Sequence, residues 1–215
     1  MIDLLYNHSS DVYSANGEDG INEYILKHLE LDSGVVLEIG AWDGFFDSNC
    51  ANLWSNGSYN GILIEATSKL NIADLENRYD NISCYRELIS SSNTLEDVID
   101  KCKFDVDENN FVLASIDVDG DDLNVARSLG KYKPIILIVE PNGDVITRSN
   151  SNGSTIKELI DFGVDFGYDF MGMSGHVGRH SGNVYLIRND YKDKFDICSK
   201  PWQQRGIILS EGVLY

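Results

Sequence analysis

Short apolar runs of strand length recur along the chain, and they constrain its fold more than any other feature. The runs are Val35–Ile39, Gly61–Ile64, Ile82–Tyr85, Phe111–Ile116 and Ile135–Val139. Four of the five are nearly continuous in apolar residues, which is typical of parallel strands that helices cover on both faces. Segments of helical character separate several runs, so the pattern predicts an α/β fold with a mostly parallel sheet.

Helices are predicted between and after these runs. Their expected ranges are Gly20–Leu29, Thr94–Cys102, Asp122–Leu129 and Ser154–Phe162. Thr94 and Asp97 have the spacing of a capping box, which indicates a helix N-terminus at that point.

The pattern changes in the last quarter of the chain. Tyr168–Met173 and Asn183–Arg188 have strand character, and the glycine-rich segment Ser174–Gly182 separates them. Two strands joined in this way favour an antiparallel hairpin, which would close one edge of the sheet.

A glycine turn follows the first predicted strand. In an open parallel sheet, ligands bind beyond the carboxyl ends of the strands, so this turn is a candidate site. Gly40 and Gly44 allow the backbone to approach a ligand, but no third glycine completes the dinucleotide-binding GxGxxG pattern. The next apolar run ends at Glu65, whose carboxylate could accept hydrogen bonds from both hydroxyls of a ribose.

Glu38 lies inside an otherwise apolar strand. Burying even a neutral polar group without a partner costs about 2–7 kcal/mol, so a buried Glu38 needs one. Backbone N–H groups or a nearby Lys or Arg could supply it, or the carboxylate could bind a cationic group of a ligand. Because Gly40, Gly44 and Glu65 surround it, we favour the second interpretation.

Five sequence blocks occur in a recognisable order. They are GED at Gly17–Asp19, EIGAWDG at Glu38–Gly44, LIEA at Leu63–Ala66, SIDVDGDD at Ser115–Asp122 and KPIILIVEPN at Lys133–Asn142. In this order, and with GNVYLIRND at Gly182–Asp190 as a last strand, the chain resembles the FkbM-like S-adenosylmethionine-dependent methyltransferases. The resemblance spans nearly the whole chain. It implies a class I methyltransferase (Rossmann-like) fold, a three-layer sandwich around a mostly parallel seven-stranded sheet with a C-terminal antiparallel hairpin.

The resemblance also implies which residues contact the cofactor, S-adenosylmethionine. Glu65 would hold the ribose and Asp117 would face the sulfonium. The residues expected to line the methionine part are Glu38, Gly40, Ala41 and Gly44, and the others assigned to the cofactor site are Glu18, Asp19, Trp42, Asp43 and Asn49. Asp43 and Asn49 would shape the turn. Many members have Asn at the position of Trp42, so the contact expected there is through the backbone.

One domain is expected over residues 1–215, because no repeat, low-complexity tract or long linker divides the chain. It would comprise an N-terminal helical lead-in at 1–32, a cofactor-binding core at 33–143, and the hairpin with substrate-side elements at 144–215.

Four carboxylates lie within six residues after the fourth predicted strand, at Asp117, Asp119, Asp121 and Asp122. Methyl transfer is an in-line displacement, so the protein chiefly aligns the nucleophile and accepts its proton. Asp117 and Asp119 are the preferred candidate bases. Asp121 or Asp122 is expected in a solvated loop, where it would cap the following helix.

A metal site is a further hypothesis at this edge. Glu140 and Asn142 follow the next strand, and together with Asp117 they could supply oxygen ligands to Mg²⁺. No uninterrupted Asp-Asn pair follows that strand, so catalysis without a metal stays an alternative.

His176 lies in the glycine-containing segment between the hairpin strands. The segment could be an exposed loop, or a mobile loop that brings a base over the site, since histidine titrates near neutral pH. His176 ranks behind Asp117 and Asp119 as a candidate base.

The charge composition limits the classes of binding partner that are expected. With 35 acidic and 17 basic residues the net charge is −18, which disfavours duplex nucleic acid and anionic membrane surfaces. The longest aliphatic run is too short to span a bilayer, no secretory signal is recognisable, and four dispersed cysteines indicate free thiols. We therefore expect a cytoplasmic protein.

The favoured function is methyl transfer to a hydroxyl oxygen of a sugar, a glycan or another small molecule. One alternative is an inactive S-adenosylmethionine-binding or assembly module. A nicotinamide-dependent oxidoreductase ranks last, because the glycine spacing and the hairpin both fit it poorly. The sequence predicts no oligomeric state.

Overall fold

A computed structural model describes residues 4–69, 71–143, 146–148, 151–175 and 182–205. The strands in chain order are β1 (Gly34–Ile39), β2 (Tyr59–Ile64), β3 (Ile82–Tyr85), β4 (Phe111–Ile116), β5 (Ile136–Val139), β6 (Tyr168–Met173) and β7 (Val184–Arg188). The α-helices are α1 (Glu18–His28), α2 (Ala51–Trp54), α3 (Ile72–Arg78), α4 (Leu95–Ile99), α5 (Asp122–Arg127) and α6 (Ile156–Phe166). Short 3₁₀ helices lie at Leu5–His8, Lys192–Lys194, Asp196–Ser199 and Trp202–Gln204.

The strands form one sheet in the order β3-β2-β1-β4-β5-β7-β6. Neighbours from β3 to β5 are parallel, whereas β7 runs antiparallel to both β5 and β6. The predicted seven-stranded, mostly parallel sheet with an antiparallel C-terminal hairpin is therefore confirmed. The strand order reverses at β1 and β4, so the turns after these two strands leave the sheet edge in opposite directions.

Apolar side chains pack on both faces of the sheet. Within β1, Val36 belongs to a core cluster with Ile21 and Ile25 of α1, while Leu37 belongs to a second cluster with Leu159 of α6. Successive strand residues point to opposite faces, so the two clusters are the two interfaces of a three-layer sandwich. This double burial explains why the strands are continuous apolar runs.

Helix boundaries differ from the predicted ones for local reasons. The capping box at Thr94 and Asp97 is confirmed, but α4 ends at Ile99 rather than Cys102. In α6 the N-cap is Thr155, which forms a capping box with Glu158, and the helix ends at Phe166, followed by the C-cap Gly167 with φ +96°. A residue in the left-handed region is a common helix terminus, so the signal for the end of α6 was present in the sequence.

Two short helices, α2 and α3, were not predicted. They have 4 and 7 residues, too few for a hydrophobic period to emerge. Strand β2 begins at Tyr59, two residues before the predicted start, because Tyr59 and Asn60 already pair with Gly34 and Val35 of β1. None of the helices in the described ranges combines the length and apolar character that a membrane crossing requires.

Candidate functional site

A cavity of about 490 Å³ lies across the carboxyl ends of four neighbouring strands. Its walls include Gly40 after β1, Glu65 after β2, Ile89 after β3 and Asp117 after β4. Adjacent strands are about 4.8 Å apart, so four strand ends span roughly 14 Å. The cavity is therefore elongated along the sheet edge and contains the point at which the strand order reverses, where open α/β sheets bind ligands.

The turn after β1 requires glycine at its first position. Gly40 has φ +82°, and a Cβ atom there would lie 1.7 Å from the carbonyl oxygen of Asp117. The amides of Gly40 and Ala41 both donate to the carbonyl of Ile64, at 3.0 and 3.1 Å. The turn is thus wedged between the ends of β2 and β4, and a side chain at position 40 would separate them.

Asp43 organises the second half of this turn. Its Oδ1 accepts hydrogen bonds from the amides of Phe45 and Phe46 at 2.9 and 2.8 Å. The amide of Gly44 donates to the carbonyl of Ala41, and Gly44 also has a positive φ, of +95°. These bonds agree with the predicted role of Asp43 in shaping the turn.

Glu65 joins the turns that follow β1 and β2. Its Oε2 accepts from the Trp42 amide at 3.0 Å, and its Oε1 accepts from the Thr67 amide at 2.7 Å. The side chain is 6% exposed and lines the cavity. A carboxylate offers about four lone-pair positions, so two acceptor positions remain for a ligand.

Glu38 is satisfied inside the protein. Ser48 Oγ donates to its Oε2 at 2.5 Å, and the Asn49 amide donates to its Oε1 at 2.6 Å. The Asn49 side chain donates to Ser115 Oγ on β4, and the backbone carbonyl of Asn49 accepts from Asn22 Nδ2 of α1. Glu38 does not line the cavity, so its bonds match the interpretation that we did not favour. Its contact with a cationic ligand group stays a prediction.

Protonation of Glu38 should make stability depend on pH. Burial raises the pKa of this carboxyl from 4.5 to about 7, although the bonds from Ser48 and Asn49 lower it. Because the folded-state pKa is the higher one, the stabilisation is complete below pH 4.5 and is lost as the pH rises through 7. A shift of this size corresponds to about 3 kcal/mol.

We expect Glu38→Gln to reduce the fall in unfolding free energy between pH 5 and 8 by about 2–3 kcal/mol, because glutamine mimics the protonated acid. Urea unfolding at several pH values measures this. Glu18, Asp117, Asp122 and Glu140 also have raised pKa values, so a smaller slope of the same sign should remain. Glu23→Gln, on the exposed side of α1, should reproduce the wild-type curve; an unchanged slope in Glu38→Gln would contradict the assignment.

Glu18 and Asp19 begin α1 and are both buried. Glu18 accepts from Ser174 Oγ and Asn183 Nδ2, which flank the predicted hairpin turn, at 2.6 and 2.9 Å. Asp19 Oδ2 accepts three backbone amides from residues 12–14. Neither residue lines the cavity, so their predicted contact with a cofactor stays a prediction.

Three carboxyl groups meet at the ends of β4 and β5. One carboxylate oxygen from each of Asp117, Asp122 and Glu140 lies within 4.8 Å of the other two. Burial, and then repulsion among these acids, raises the pKa of Asp117 and Glu140. Asp117 and Asp119 line the cavity, so both predicted bases have access to it.

The expectation for Asp122 was wrong. It is 1% exposed, and its two oxygens accept from the amides of Val118 and Gly120 at 2.7 and 3.0 Å. It therefore closes the turn that precedes α5 instead of lying in a solvated loop. Asp121 does occupy the N-cap position, but its side chain makes no capping bond and accepts from Asn124 Nδ2.

Of the three predicted metal ligands, Asp117 and Glu140 place carboxylate oxygens close together, whereas Asn142 does not turn its oxygen toward them. Asn142 turns its amide nitrogen toward the acids and donates to both Asp122 and Glu140 at 3.0 Å. The cluster of possible oxygen ligands thus contains Asp122 in place of Asn142. His176, the third candidate base, lies outside the described residues.

Sequence analysis missed several parts of the site. They include the wall formed by Glu87, Leu88 and Ile89, and also Thr67, whose amide holds Glu65. The wall follows β3 directly, so the rule that ligands bind at strand ends could have indicated it.

Solved methyltransferases have a similar fold. The CurJ carbon methyltransferase aligns with 79% of this chain and 53% of its own, with a TM-score of 0.50 and 12% identity. Methyltransferase FkbM from Methylobacillus flagellatus KT aligns with 85% of this chain and 57% of its own, with a TM-score of 0.49 and 17% identity. A precorrin-6y C5,15-methyltransferase from Geobacter metallireducens GS-15 aligns with 83% of this chain and 90% of its own, with a TM-score of 0.45 and 16% identity.

No protein-family profile and no curated protein matches the sequence. At these identities the similarity to solved structures concerns the fold alone, a Rossmann-like α/β fold with one mostly parallel seven-stranded sheet. The chain spans about half the length of the CurJ and FkbM structures.

Proposed function

We propose that the protein is an S-adenosylmethionine-dependent methyltransferase that acts on a hydroxyl oxygen of a sugar, a glycan or another small molecule. The observation that carries this proposal is the elongated cavity across β3, β2, β1 and β4. It combines a turn that tolerates only glycine, a carboxylate at its centre and acids at its β4 end. An extended nucleoside joined to an amino acid fits such a shape.

The residues present fit S-adenosylmethionine in shape and charge. A Cβ at Gly40 would fill the space between the β1 turn and β4, and the two free acceptor positions of Glu65 match the two hydroxyls of a ribose. In the described part of the chain no Lys or Arg lines the cavity, whereas six acids do: Asp47, Glu65, Glu87, Asp117, Asp119 and Asp121. Such a cavity favours a cation over a phosphate. When bound, S-adenosylmethionine supplies a methyl group that its sulfonium activates.

Each part of the cofactor then has a place along the sheet edge. Leu88 and Ile89 would contact the base, Glu65 the ribose, Gly40 the methionine part, and Asp117 the sulfonium end. Glu38 and Asn49 would act from behind the cavity, because their bonds fasten the segment at Ser48 and Asn49, which follows the turn, to β1 and β4.

The acid cluster offers a place for the acceptor's proton. Since the pKa values of Asp117 and Glu140 are raised, the pair can exchange a proton near neutral pH. We propose Asp117 as the base, with Asp119 and then His176 behind it. The donor bonds of Asn142 and the protonation of the acids relieve their repulsion, so we propose that Mg²⁺ is not needed.

The acceptor is proposed to be uncharged and small. The acidic cavity opposes phosphates and nucleic acid backbones, whereas sugar hydroxyls carry no charge to be repelled. All four cysteines are free thiols, which supports a location in the reducing cytoplasm. CurJ is described as a carbon methyltransferase, so carbon acceptors belong in any acceptor panel.

Calorimetric titration with S-adenosylhomocysteine tests the proposal. We expect micromolar binding, followed by transfer of labelled methyl to a hydroxyl acceptor at the same rate in EDTA and in added Mg²⁺. Absence of binding would refute the proposal. Binding without transfer to any acceptor in a broad panel would favour a non-catalytic binding module, and loss of transfer in EDTA would show that a metal is required.

A further inference from the structure

Backbone strain and exposed apolar side chains both concentrate at the mouth of the cavity. Of the four non-glycine residues with positive φ in the part of the chain that the structure describes, three line the cavity: Trp42, Asp47 and Asp119. The same described residues include six large apolar side chains that are exposed, and three of these also line the cavity: Trp42, Phe46 and Leu88. Only Trp42 belongs to both groups. Strain that persists at a site is a reason to look for a function.

Trp42 is held at the cavity wall by contacts on two sides. Its φ is +48°, its amide donates to Glu65 Oε2 at 3.0 Å, and its side chain is 44% exposed. The ammonium of Lys69 lies 4.7 Å from the centre of the indole ring, which is a cation–π contact. Lys69 therefore covers one face of the ring, and the ring borders the cavity.

Folding alone does not account for a tryptophan at this position. A bulky residue in the left-handed region is strained, whereas Asn or Gly adopts that conformation readily. The side chain belongs to neither core cluster, and nearly half of it remains in water. Beyond the contact with Lys69, what the side chain adds would come from a partner that covers its exposed surface.

We propose that Trp42 stacks on the adenosine part of the cofactor, with Lys69 supporting the opposite face of the indole. This inference rests on the proposed function. The Trp42 amide and the proposed ribose share the carboxylate of Glu65, so the indole lies next to the nucleoside. The cavity continues from there to Leu88 and Ile89, which would face the same planar base. A neutral aromatic base also offers a flat face on which an indole ring can stack.

Binding of two ligands tests the stacking. S-adenosylhomocysteine contains the whole nucleoside and amino acid, whereas 5′-methylthioadenosine lacks the amino acid half. We expect Trp42→Ala to weaken both by about tenfold, because base–aromatic stacking is made to the shared nucleoside. Trp42→Phe keeps a ring and should stay within about threefold of wild type. Val164→Ala, a control at an exposed residue outside the cavity wall, should not change either affinity.

Tryptophan fluorescence gives a second readout that a merely structural role would not move. Trp54 is fully buried and Trp202 lies outside the cavity wall, so a change of emission on ligand binding should come from Trp42. We expect 5′-methylthioadenosine to quench wild-type emission and to leave Trp42→Phe unquenched. Unchanged affinities in Trp42→Ala, a loss restricted to S-adenosylhomocysteine, or persistent quenching in Trp42→Phe would each overturn the stacking. If wild type binds neither ligand, the proposed function itself fails.

Discussion

Replacing Gly40 by alanine is expected to destabilise the protein by about 3 kcal/mol or more and to abolish binding of S-adenosylhomocysteine. A positive φ costs an alanine about 1–2 kcal/mol. In addition, the new methyl group would lie 1.7 Å from the carbonyl oxygen of Asp117, so β4 and the β1 turn would have to separate. Overpacking of this kind costs about 1–3 kcal/mol. Urea unfolding measures the first effect and calorimetry the second.

Gly57→Ala is a matched control. Gly57 has φ +83°, almost the same as the +82° of Gly40, but a Cβ there meets no atom within 4 Å. Its substitution should therefore cost only the backbone strain, about 1–2 kcal/mol, and leave ligand binding unchanged. The difference between the two variants isolates the contact with Asp117. Equal urea midpoints for Gly40→Ala and Gly57→Ala would mean that the β1 turn can accommodate a methyl group next to the Asp117 carbonyl.

Replacing Glu65 by glutamine is expected to weaken binding of S-adenosylhomocysteine and of 5′-methylthioadenosine by ten- to hundredfold. A hydrogen bond to a charged group contributes about 1.5–3 kcal/mol, and every 1.4 kcal/mol is tenfold in affinity. The side-chain NH₂ group that glutamine introduces would also face one of the two backbone N–H donors, from Trp42 or Thr67, and could not accept its hydrogen bond. Calorimetry with both ligands measures the loss, and thermal unfolding verifies that the variant is folded.

Asp47→Asn removes the same charge from the same cavity. Asp47 is exposed and lines the wall, and asparagine tolerates its φ of +52°. Because a solvated charge is strongly screened, we expect less than a threefold change in affinity. If both substitutions weaken binding equally, Glu65 acts through the general negative field and not through bonds to the ribose.

The sheet was predictable because burial on both faces leaves a direct mark in the sequence. Phe111–Ile116 and Ile82–Tyr85 match their predicted ranges, and the glycine at position 40 marks a backbone conformation that other residues avoid. By contrast, α2 and α3 are too short to carry a periodic signal.

The partners of buried acids could not be predicted in this way. Glu38 finds Ser48 and Asn49 ten and eleven residues later, through the path of a loop that no local pattern specifies. Asp122 joins Glu140 only because β4 and β5 are neighbours in the sheet. The spacing of residues along the sequence specifies neither the order of strands in the sheet nor the path of a loop. The roles of these acids could therefore be assigned only from the tertiary structure.

The bonds that tie α1 to the hairpin have a consequence for synthesis on the ribosome. Glu18 accepts from Ser174 and Asn183, and Tyr185 donates to Asn22, across separations of 156 to 165 residues. Until residue 185 has emerged, Glu18 of the nascent chain lacks the side-chain donors that it has in the folded protein, and β5 lacks its antiparallel neighbour β7. Loop closure over such distances is slow, so α1 should dock late in folding. A nascent chain stalled before β7 would expose the edge of β5 and be vulnerable to aggregation.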